Sequence, residues 1–256
     1  MKGNTIANYD GYLSGMKKSL EDKLFFEKWL SDAEALVDFG CADGTLLAEI
    51  HNRYPKLKLS GIDMNELMLK KLKVKCSTVH SDLPKDPNLD VKPSATVLNL
   101  SSVLHEVYSY GSKDYIQAFW RTVNEEGYKY VFIRDMLYED LQPGKDKYQW
   151  HRKLYKHGNL QQLSDFERFH GNLLNKKNIV HFLLKYRYVQ NWEREVRENY
   201  LSLKAADIVN ALYEYDCVYC ERYAMPFLRD RLKADFDINF NEMTHVKMVF
   251  RLREDA

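Results

Sequence analysis

A short stretch near residue 40 combines residue types that could bind a charged small molecule. Asp38 ends an apolar run, and Gly40, Ala42 and Gly44 follow it before a helical pattern begins at Thr45. Glycine lets the backbone turn tightly and approach a ligand without a Cβ in the way. The N-terminus of the following helix offers free N–H groups to an anion. The spacing therefore predicts a ligand site where a strand passes into a helix, the usual position in open α/β sheets.

Two ligand classes use this arrangement, and the glycine spacing separates them. The dinucleotide pattern needs glycines at its first, third and sixth positions. Here those positions hold Gly40, Ala42 and Thr45, and the last glycine, Gly44, comes one residue too early. The NAD-binding interpretation therefore fits poorly.

The same residues resemble the first motif of the class I S-adenosylmethionine-dependent methyltransferases, an acidic residue followed by Gly-x-Gly-x-Gly. Asp38, Gly40, Ala42 and Gly44 match it, with alanine in the middle place, where its methyl group narrows the space for the methionine part of the cofactor. The resemblance implies that S-adenosyl-L-methionine is the cofactor and that these residues contact it. In physical terms, the glycine turn and the helix start suit the carboxylate of the cofactor, and Asp38 suits its ammonium group.

Two further acidic residues extend the resemblance. Asp63 ends the second predicted strand, 19 residues after Gly44, and Asp82 follows the third. In this family, residues at these two places bind the ribose hydroxyls and the adenine amino group. From the residues alone, Asp63 could also be a helix N-cap and Asp82 an exposed loop carboxylate. The resemblance implies further cofactor contacts for Met64, Leu83 and Leu100.

Residues at the ends of the fourth and fifth predicted strands are candidates for contact with the methyl acceptor. Methyl transfer is an in-line displacement, so the enzyme chiefly aligns the reactants, and a base is needed when the acceptor is a hydroxyl. We expect His105 to be that base, with Glu106 orienting it; the alternative is a helix residue that packs beside the cofactor. Arg134 either contacts the acceptor or forms an ion pair with Asp135. The stretch after strand four lacks the Asn/Asp-Pro-Pro-Tyr/Phe motif, which disfavours the usual amino-methylating DNA enzymes.

The elements that must position these residues alternate between strand and helix over 35–135, which is typical of a parallel sheet covered by helices. Residues 145–213 are predicted to be mostly helical, and two strands close the chain. We therefore predict an α/β, Rossmann-like, mostly parallel sheet with a closing antiparallel strand pair and a helical insertion after strand five. The predicted parts are an N-terminal helix with the cofactor-binding part (1–137), a basic helical insertion (138–199) and a C-terminal part that completes the sheet (200–256).

The predicted elements have the following bounds. Helices are predicted over 16–30, 45–54, 66–75, 114–123 and 226–235, and strands over 35–39, 58–63, 77–80, 95–100, 128–133, 216–223 and 244–252. The stretch 191–200 is predicted to be a helix whose i,i+4 charge pairs, such as Glu193 with Arg197, have a structural role only.

The segment 144–190 carries ten basic and three acidic side chains, a net charge of +7, in a chain whose overall net charge is +1. It is also rich in aromatic residues. We expect Arg152 and Lys153 to neutralise phosphates and Trp150 to stack on bases, which favours RNA or a nucleotide-containing acceptor. The alternative is a helical lid with a solvated basic face, which needs no polyanion.

Composition excludes several other classes of protein. Hydrophobic residues make up 45% and charged residues 29% of the chain, as in ordinary globular proteins. No apolar run approaches the roughly 20 residues needed to cross a bilayer, and the N-terminal residues lack a signal-peptide core, so we expect a cytoplasmic protein without membrane contact. Cys217 and Cys220 form a single CxxC pair, and three positions apart on a strand they should point to different faces, so no metal site is predicted.

The sequence therefore predicts an S-adenosylmethionine-dependent methyltransferase that methylates an oxygen or nitrogen, with RNA or a nucleotide-containing acceptor slightly favoured. The alternatives are a small-molecule methyltransferase and a non-catalytic cofactor-binding partner subunit. Tyr9 and Tyr12 precede the first predicted helix. We expect them either to fold over the cofactor and contact the acceptor, or only to pack against the protein.

Overall fold

The structure, a computed structural model, describes residues 19–85, 87, 89–139 and 146–254. Its centre is a seven-stranded sheet. The strands are β1 (Ala35–Phe39), β2 (Lys58–Asp63), β3 (Ser77–His80), β4 (Thr96–Ser101), β5 (Tyr130–Met136), β6 (Tyr215–Tyr223) and β7 (His245–Leu252). Their order is β3-β2-β1-β4-β5-β7-β6, and β7 alone runs antiparallel to its neighbours β5 and β6. The predicted α/β, Rossmann-like sheet with a closing antiparallel strand pair is thereby confirmed.

Helices connect the strands and form the insertion. They are α1 (Leu20–Lys23), α2 (Thr45–Arg53), α3 (Glu66–Leu69), α4 (Leu104–Tyr110), α5 (Lys113–Glu126), α6 (Lys147–His157), α7 (Leu160–His170), α8 (Lys176–Lys185), α9 (Trp192–Glu195), α10 (Ala205–Ala211) and α11 (Pro226–Phe236). Helices α6 to α10 lie between β5 and β6 in the chain, at the place predicted for the helical insertion. None of the described helices is both long enough and apolar enough to cross a bilayer.

The strand order reverses between β1 and β4, and open α/β sheets bind their ligands at the carboxyl ends of the strands beside such a reversal. β1 pairs in parallel with β2 on one side and with β4 on the other. Every residue of β1 and β4 is buried, as expected for central parallel strands that are covered on both faces. Asp38 lies opposite Gly61 and Asn99 of the neighbouring strands, so its carboxylate is buried close to this edge.

Three predicted helices are clearly shorter in the structure, and one of them, predicted over 191–200, is reduced to α9. Within the described residues, the helix predicted over 16–30 is reduced to α1 and a 3-10 turn at Glu27–Trp29. Leu24 and Phe26 are both buried, and their spacing of two residues places them on opposite sides of any helix, so a single helical stripe cannot bury both. The helix predicted from Glu66 ends at Leu69. Helix α4 was not among the predicted helices.

The helical insertion shares a hydrophobic core with α11. Trp150, Phe166 and Phe182 from the insertion are buried in one cluster with Phe236 and Phe240. The shared core crosses the boundary predicted at residue 199, because α11 belongs to the part predicted as 200–256. The division into three parts stays a prediction.

A β-bulge in β6 changes the expected placement of the two nearby cysteines. The register with β7 shifts between Cys217 and Tyr219, so that Cys217 lies opposite Phe250 and Cys220 lies opposite Met248. Because Phe250 and Met248 are two residues apart on β7, the cysteines share a face of the sheet. The prediction that they point to different faces is therefore wrong. Both are free and exposed.

Candidate functional site

The glycine turn after β1 needs glycine at two positions. Gly40 and Gly44 have φ angles of 77° and 70°, a left-handed conformation that favours glycine. A Cβ on Gly40 would lie 2.8 Å from a methyl carbon of Val103, and one on Gly44 would lie 2.5 Å from a methyl carbon of Leu72. Ala42, between them, also has a positive φ of 48°. The backbone thus follows the tight path between strand and helix that the motif predicts.

Asp63 lies directly beside this turn. Its Oδ2 accepts a hydrogen bond from the backbone N–H of Ala42 at 2.8 Å, and its Oδ1 accepts one from Asn65 at 2.7 Å. The alternative of a helix N-cap does not apply to Asp63, because the Asn65 side chain caps α3 instead. Burial raises the pKa of the Asp63 carboxyl, although both hydrogen bonds oppose this effect. The backbone therefore fixes the position of one carboxylate at the ligand-binding edge of the sheet.

Asp38 is almost completely buried at the end of β1, with 4% of its surface exposed. Asn99 of β4 donates a hydrogen bond from Nδ2 to Asp38 Oδ1 at 2.7 Å. Burial raises the pKa of Asp38 to about 6, even though this hydrogen bond and the nearby charge of Lys23 lower it. Asp38 therefore offers a buried acceptor that a cationic ligand group would stabilise in its charged form.

The first residue of α2 is bound by a carboxylate of the chain itself. Asp43 Oδ1 accepts hydrogen bonds from the backbone N–H of Thr45 at 3.1 Å and from its hydroxyl at 2.7 Å. The Lys73 ammonium forms an ion pair with the other oxygen of Asp43 and also contacts Thr45 Oγ1. A carboxylate of the protein thus uses the first N–H group of α2, and the expectation that this helix start suits the carboxylate of a ligand stays a prediction.

The remaining predicted cofactor residues surround the turn or line the core. Met64 accepts a hydrogen bond at its backbone carbonyl from His80 Nε2 at 2.8 Å. Asp82 accepts one at its backbone carbonyl from the Tyr115 hydroxyl at 2.5 Å, and its side chain is half-buried. Leu83 packs against the main core, and Leu100 is fully buried within it. Their cofactor contacts stay predictions.

His105 lies in the first turn of α4 and is oriented by Asp135 of β5. His105 Nδ1 lies 2.8 Å from Asp135 Oδ1, and Asp135 Oδ2 accepts hydrogen bonds from the backbone N–H groups of Leu104 and His105. The prediction that Glu106 orients this histidine is wrong, since Glu106 binds Arg194 instead. Burial opposes a charged imidazole, but the carboxylate of Asp135 outweighs it and the pKa of His105 rises to about 9.

A buried charge cluster from a distant part of the chain covers the other ring nitrogen of His105. Glu198 Oε2 lies 3.9 Å from His105 Nε2. Arg194 bridges Glu198 at 2.7 Å and Glu106 at 2.9 Å. The nearest ligand atoms of His105, Glu106 and Glu198 all lie within 4.8 Å of one another, a set that could hold a metal ion. Arg194 already supplies a positive charge to both glutamates.

Arg194 and Glu198 form a second i,i+4 charge pair in the stretch predicted as a helix over 191–200, and the structure buries this pair. The side chains are 8% and 1% exposed, so they are not on a solvated helix surface. Burial raises the pKa of Glu198 to about 7, and the neighbouring carboxylate of Glu106 acts in the same direction. The sequence carries no signal for this, because i,i+4 charge pairs look the same whether the helix is exposed or buried.

Arg134 does not form the predicted ion pair with Asp135 and is not open to an acceptor. Only 5% of its surface is exposed. Its guanidinium pairs with Asp22 at 2.7 Å and donates hydrogen bonds to the hydroxyls of Tyr223 at 3.0 Å and Ser102 at 2.9 Å. Arg134 is therefore not available to an acceptor. Its ion pair with Asp22 connects α1 to the end of β5.

The basic segment is less available for a polyanion than its composition suggests. Trp150 is 4% exposed and packs on Phe240, so neither face of its ring is free to stack on a base. Arg152 is exposed, whereas Lys153 pairs with Asp237 at 2.9 Å. Other basic residues of the segment are also engaged: Arg168 with Asp165, Lys176 with Glu242, and Lys185 with the carbonyls of Glu195 and Glu198. Tyr9 and Tyr12 lie outside the described residues.

Comparison with solved structures identifies the fold. The plantazolicin methyltransferase BpumL, solved in complex with SAH, aligns with a TM-score of 0.51 and 13% identity over 96% of this chain and 88% of that one. The SAH-bound form of CalO1, a methyltransferase in calicheamicin biosynthesis, aligns with a TM-score of 0.50 and 12% identity over 94% of this chain and 56% of that one. No protein-family model matches the chain, and no curated protein is similar to it in sequence. At these identities the similarity shows the fold alone: the chain has the fold of the class I S-adenosylmethionine-dependent methyltransferases.

Proposed function

We propose that this protein is an S-adenosylmethionine-dependent methyltransferase that methylates an oxygen or nitrogen atom of its acceptor. One observation carries the proposal: the N–H group of Ala42 fixes the carboxylate of Asp63 beside a turn whose conformation favours glycine at Gly40 and Gly44. This carboxylate, which we propose to bind the ribose, lies next to the strand-to-helix turn in a fold that BpumL and CalO1 share. The two neighbours are methyltransferases solved with SAH, which supports the choice of cofactor.

The donor and acceptor groups fit this cofactor. Each oxygen of Asp63 accepts one backbone hydrogen bond and keeps lone pairs for the two hydroxyls of a ribose. Asp38 offers a buried carboxylate to the ammonium group. The bound cofactor supplies an electrophilic methyl group on a sulfonium. The task of the protein residues is to hold both reactants in line and to exclude water.

His105 is proposed to accept the proton of a hydroxyl or amine acceptor, with Asp135 orienting its ring. Nδ1 of His105 is hydrogen-bonded to Asp135, so Nε2 is the ring atom that can receive a proton from the acceptor. The pKa of His105, about 9, means that the ring is protonated at neutral pH in the free protein. If His105 is the base, the rate should therefore rise with pH up to about 9. An acceptor that needs no base would show no such rise.

The acceptor class stays a prediction. RNA or a nucleotide-containing molecule was favoured because of the basic segment, but Lys153 and three other basic residues there already have partners within the protein. Arg152 remains exposed and is the better probe of polyanion binding. A small-molecule acceptor and a cofactor-binding partner subunit are the alternatives that an assay must separate.

Calorimetric titration with S-adenosylhomocysteine tests the cofactor proposal. The wild type should bind, Asp63→Ala should lose most of the affinity, and Glu66→Ala should bind as the wild type does. Glu66 is a suitable control because it is exposed and, among the described residues, forms its ion pair with Lys70. A wild-type protein that does not bind S-adenosylhomocysteine would contradict the proposal.

Incubation with methyl-labelled cofactor and separated RNA, protein and small-molecule pools then identifies the acceptor. Label in RNA, lost in Arg152→Glu and weakened steeply by salt, supports the polyanion prediction. Label in the small-molecule pool supports a metabolite. Cofactor binding with no transfer until a second protein chain is added supports the partner subunit.

A further inference from the structure

Arg187, in the turn after α8, is a half-buried cation without a carboxylate partner. Its guanidinium carbon lies 4.6 Å from the centre of the Phe227 ring and 5.0 Å from the centre of the Tyr188 ring. Among the residues that the structure describes, the guanidinium donates one hydrogen bond, from Nη2 to the Tyr188 hydroxyl at 3.1 Å, and forms no ion pair. The first turn of α11, where Phe227 lies, carries no acidic side chain. Most N–H groups of Arg187 therefore have no acceptor in the described part of the protein.

Contacts through α11 connect Arg187 to the carboxyl edge of the sheet. Ser102 directly follows β4, and its hydroxyl accepts a hydrogen bond from Arg134 Nη1 at 2.9 Å. Arg134 Nη2 lies 3.5 Å from the sulfur of Met225. Met225 precedes α11, and Phe227, which packs against Arg187, is the second residue of this helix. Arg187 therefore lies beside the edge at which the strands end.

Contacts within the insertion connect Arg187 to the proposed base. The ring of Tyr200 lies 5.2 Å from the imidazole of His105 in an edge-to-face arrangement. The ammonium of Lys185 lies 4.5 Å from the centre of the Tyr200 ring. The carbonyl of Lys185 accepts a hydrogen bond from the backbone N–H of Tyr188 at 3.0 Å, and Tyr188 directly follows Arg187. The two routes place Arg187 and His105 at the same edge of the sheet.

The charges at these two places differ in sign. Carboxylates outnumber the cations in the cluster beside His105, so an anionic group is repelled there. The guanidinium of Arg187 is not neutralised, and such a planar group binds carboxylate or phosphate oxygens through two N–H groups at once. Rings that stack on its flat face leave the N–H groups at its edge free. Phe227 is 46% exposed, so this group of side chains is open to a ligand.

We propose that Arg187 binds an anionic group of the methyl acceptor, a carboxylate or a phosphate, while Tyr188 and Phe227 hold the guanidinium in place. This inference rests on the proposed function and names the class of acceptor. The acceptor carries an anionic group at one end and a hydroxyl or amine at the other. Its anionic end is attracted by Arg187 and repelled from the cluster beside His105, so the hydroxyl or amine is the end presented to Nε2 of His105.

Calorimetric titration with three small aromatic probes tests this site. Phenyl phosphate and benzoate carry the two kinds of anion, and benzyl alcohol is the neutral control. The wild type should bind at least one of the anions more tightly than benzyl alcohol. Arg187→Met should weaken that binding about 10- to 100-fold and leave benzyl alcohol unchanged. The preference between phenyl phosphate and benzoate shows which anion the acceptor carries.

Two further variants control for net charge and for folding. Arg229→Met removes the same charge from an exposed position on α11 and should bind all three probes as the wild type does. Arg187→Lys keeps the charge but loses the planar guanidinium, so it should recover only part of the affinity for the anion. Both variants of Arg187 should bind S-adenosylhomocysteine as the wild type does, which shows that they are folded.

The outcomes separate this inference from the proposed function. A wild type that binds neither anion more tightly than benzyl alcohol overturns the role of Arg187. An equal loss in Arg229→Met also overturns it, because the effect would then come from net charge alone. A wild type that binds an anion through Arg187 but does not bind S-adenosylhomocysteine retains the anion site and removes the proposed function.

Discussion

Replacing His105 by glutamine should remove a pH-dependent part of the stability of the protein. The imidazole donates its Nδ1 proton to Asp135, 2.8 Å away, and lies near Glu198 and Glu106. Burial works against the charged ring, but the carboxylates prevail and the pKa of His105 rises from 6.5 to about 9. Glutamine keeps a hydrogen-bonding side chain and cannot titrate, so the difference reports the charge of His105 together with its effect on Glu198, whose pKa His105 lowers.

The sign and size of the effect follow from the raised pKa. A histidine whose pKa is higher in the folded state binds its proton more tightly there, so the stabilisation is fully present below about pH 6.5 and disappears as the pH rises through about 9. The difference between 6.5 and about 9 corresponds to about 3 kcal/mol, since each pKa unit is worth about 1.4 kcal/mol. The wild type should therefore lose about 3 kcal/mol relative to the variant across this pH range.

Urea unfolding of both proteins at several pH values measures this difference. Lys23 and Lys185 have pKa values lowered to about 8 and 7, mainly by burial, so each makes stability rise with pH in its own range. Both residues are present in wild type and variant, and their contribution cancels in the difference. His51→Gln, at an exposed position, is the control and should give a flat difference. A flat difference for His105→Gln, or an NMR titration showing a neutral His105 ring at pH 7, would refute the reasoning.

Three further predictions concern the turn, the charge cluster and the helical insertion. Gly44→Ala should destabilise the protein by about 1–3 kcal/mol in urea unfolding, because its Cβ meets Leu72; Gly127→Ala, with a similar φ of 64° and no atom closer than 3.9 Å, should cost clearly less, and equal losses would contradict the steric argument. Methyl transfer should be unchanged by EDTA, because Arg194 already supplies the cation between the two glutamates; inhibition that Mg²⁺ or Mn²⁺ reverses would contradict this. Trp150→Ala should lose about 3–5 kcal/mol of stability in urea unfolding, as a buried core residue does, and an unchanged stability would show that the ring is not packed as described.

The sheet and the cofactor edge were predictable because both depend on local patterns. Alternating apolar strands and amphipathic helices define the order of the elements, and the carboxyl ends of parallel strands meet at one edge. Asp38 and Asp63 could therefore be placed near each other from strand ends alone. Their strand positions agree with the register, in which Asp38 of β1 lies opposite Gly61 of β2, two residues before Asp63.

The partners of the charged residues were not predictable in the same way. Glu106 was expected to orient His105 because it is the next residue, but successive residues on a helix point about 100° apart. Asp135 of β5 contacts the imidazole of His105 instead. A local sequence pattern cannot indicate this contact, because the two residues are 30 positions apart. Trp150 was misjudged for the same reason: composition records that a residue is aromatic, whereas its burial depends on the tertiary structure. The ion pair of Lys153 with Asp237 was likewise not predictable, and its contact with a phosphate stays a prediction.

The charge cluster beside His105 limits what kind of acceptor group can approach it. The carboxylates of Asp135, Glu106, Glu195 and Glu198 lie there with the positive charges of His105 and Arg194. Because these acidic groups outnumber the two cations, a further anion such as a phosphate would be repelled at this depth. A phosphate-bearing acceptor would have to keep its phosphates at the exposed basic face of the insertion and present a neutral hydroxyl or amine to Nε2. The polyanion prediction and the proposed base are therefore compatible only when the methylated atom lies well away from the phosphate groups.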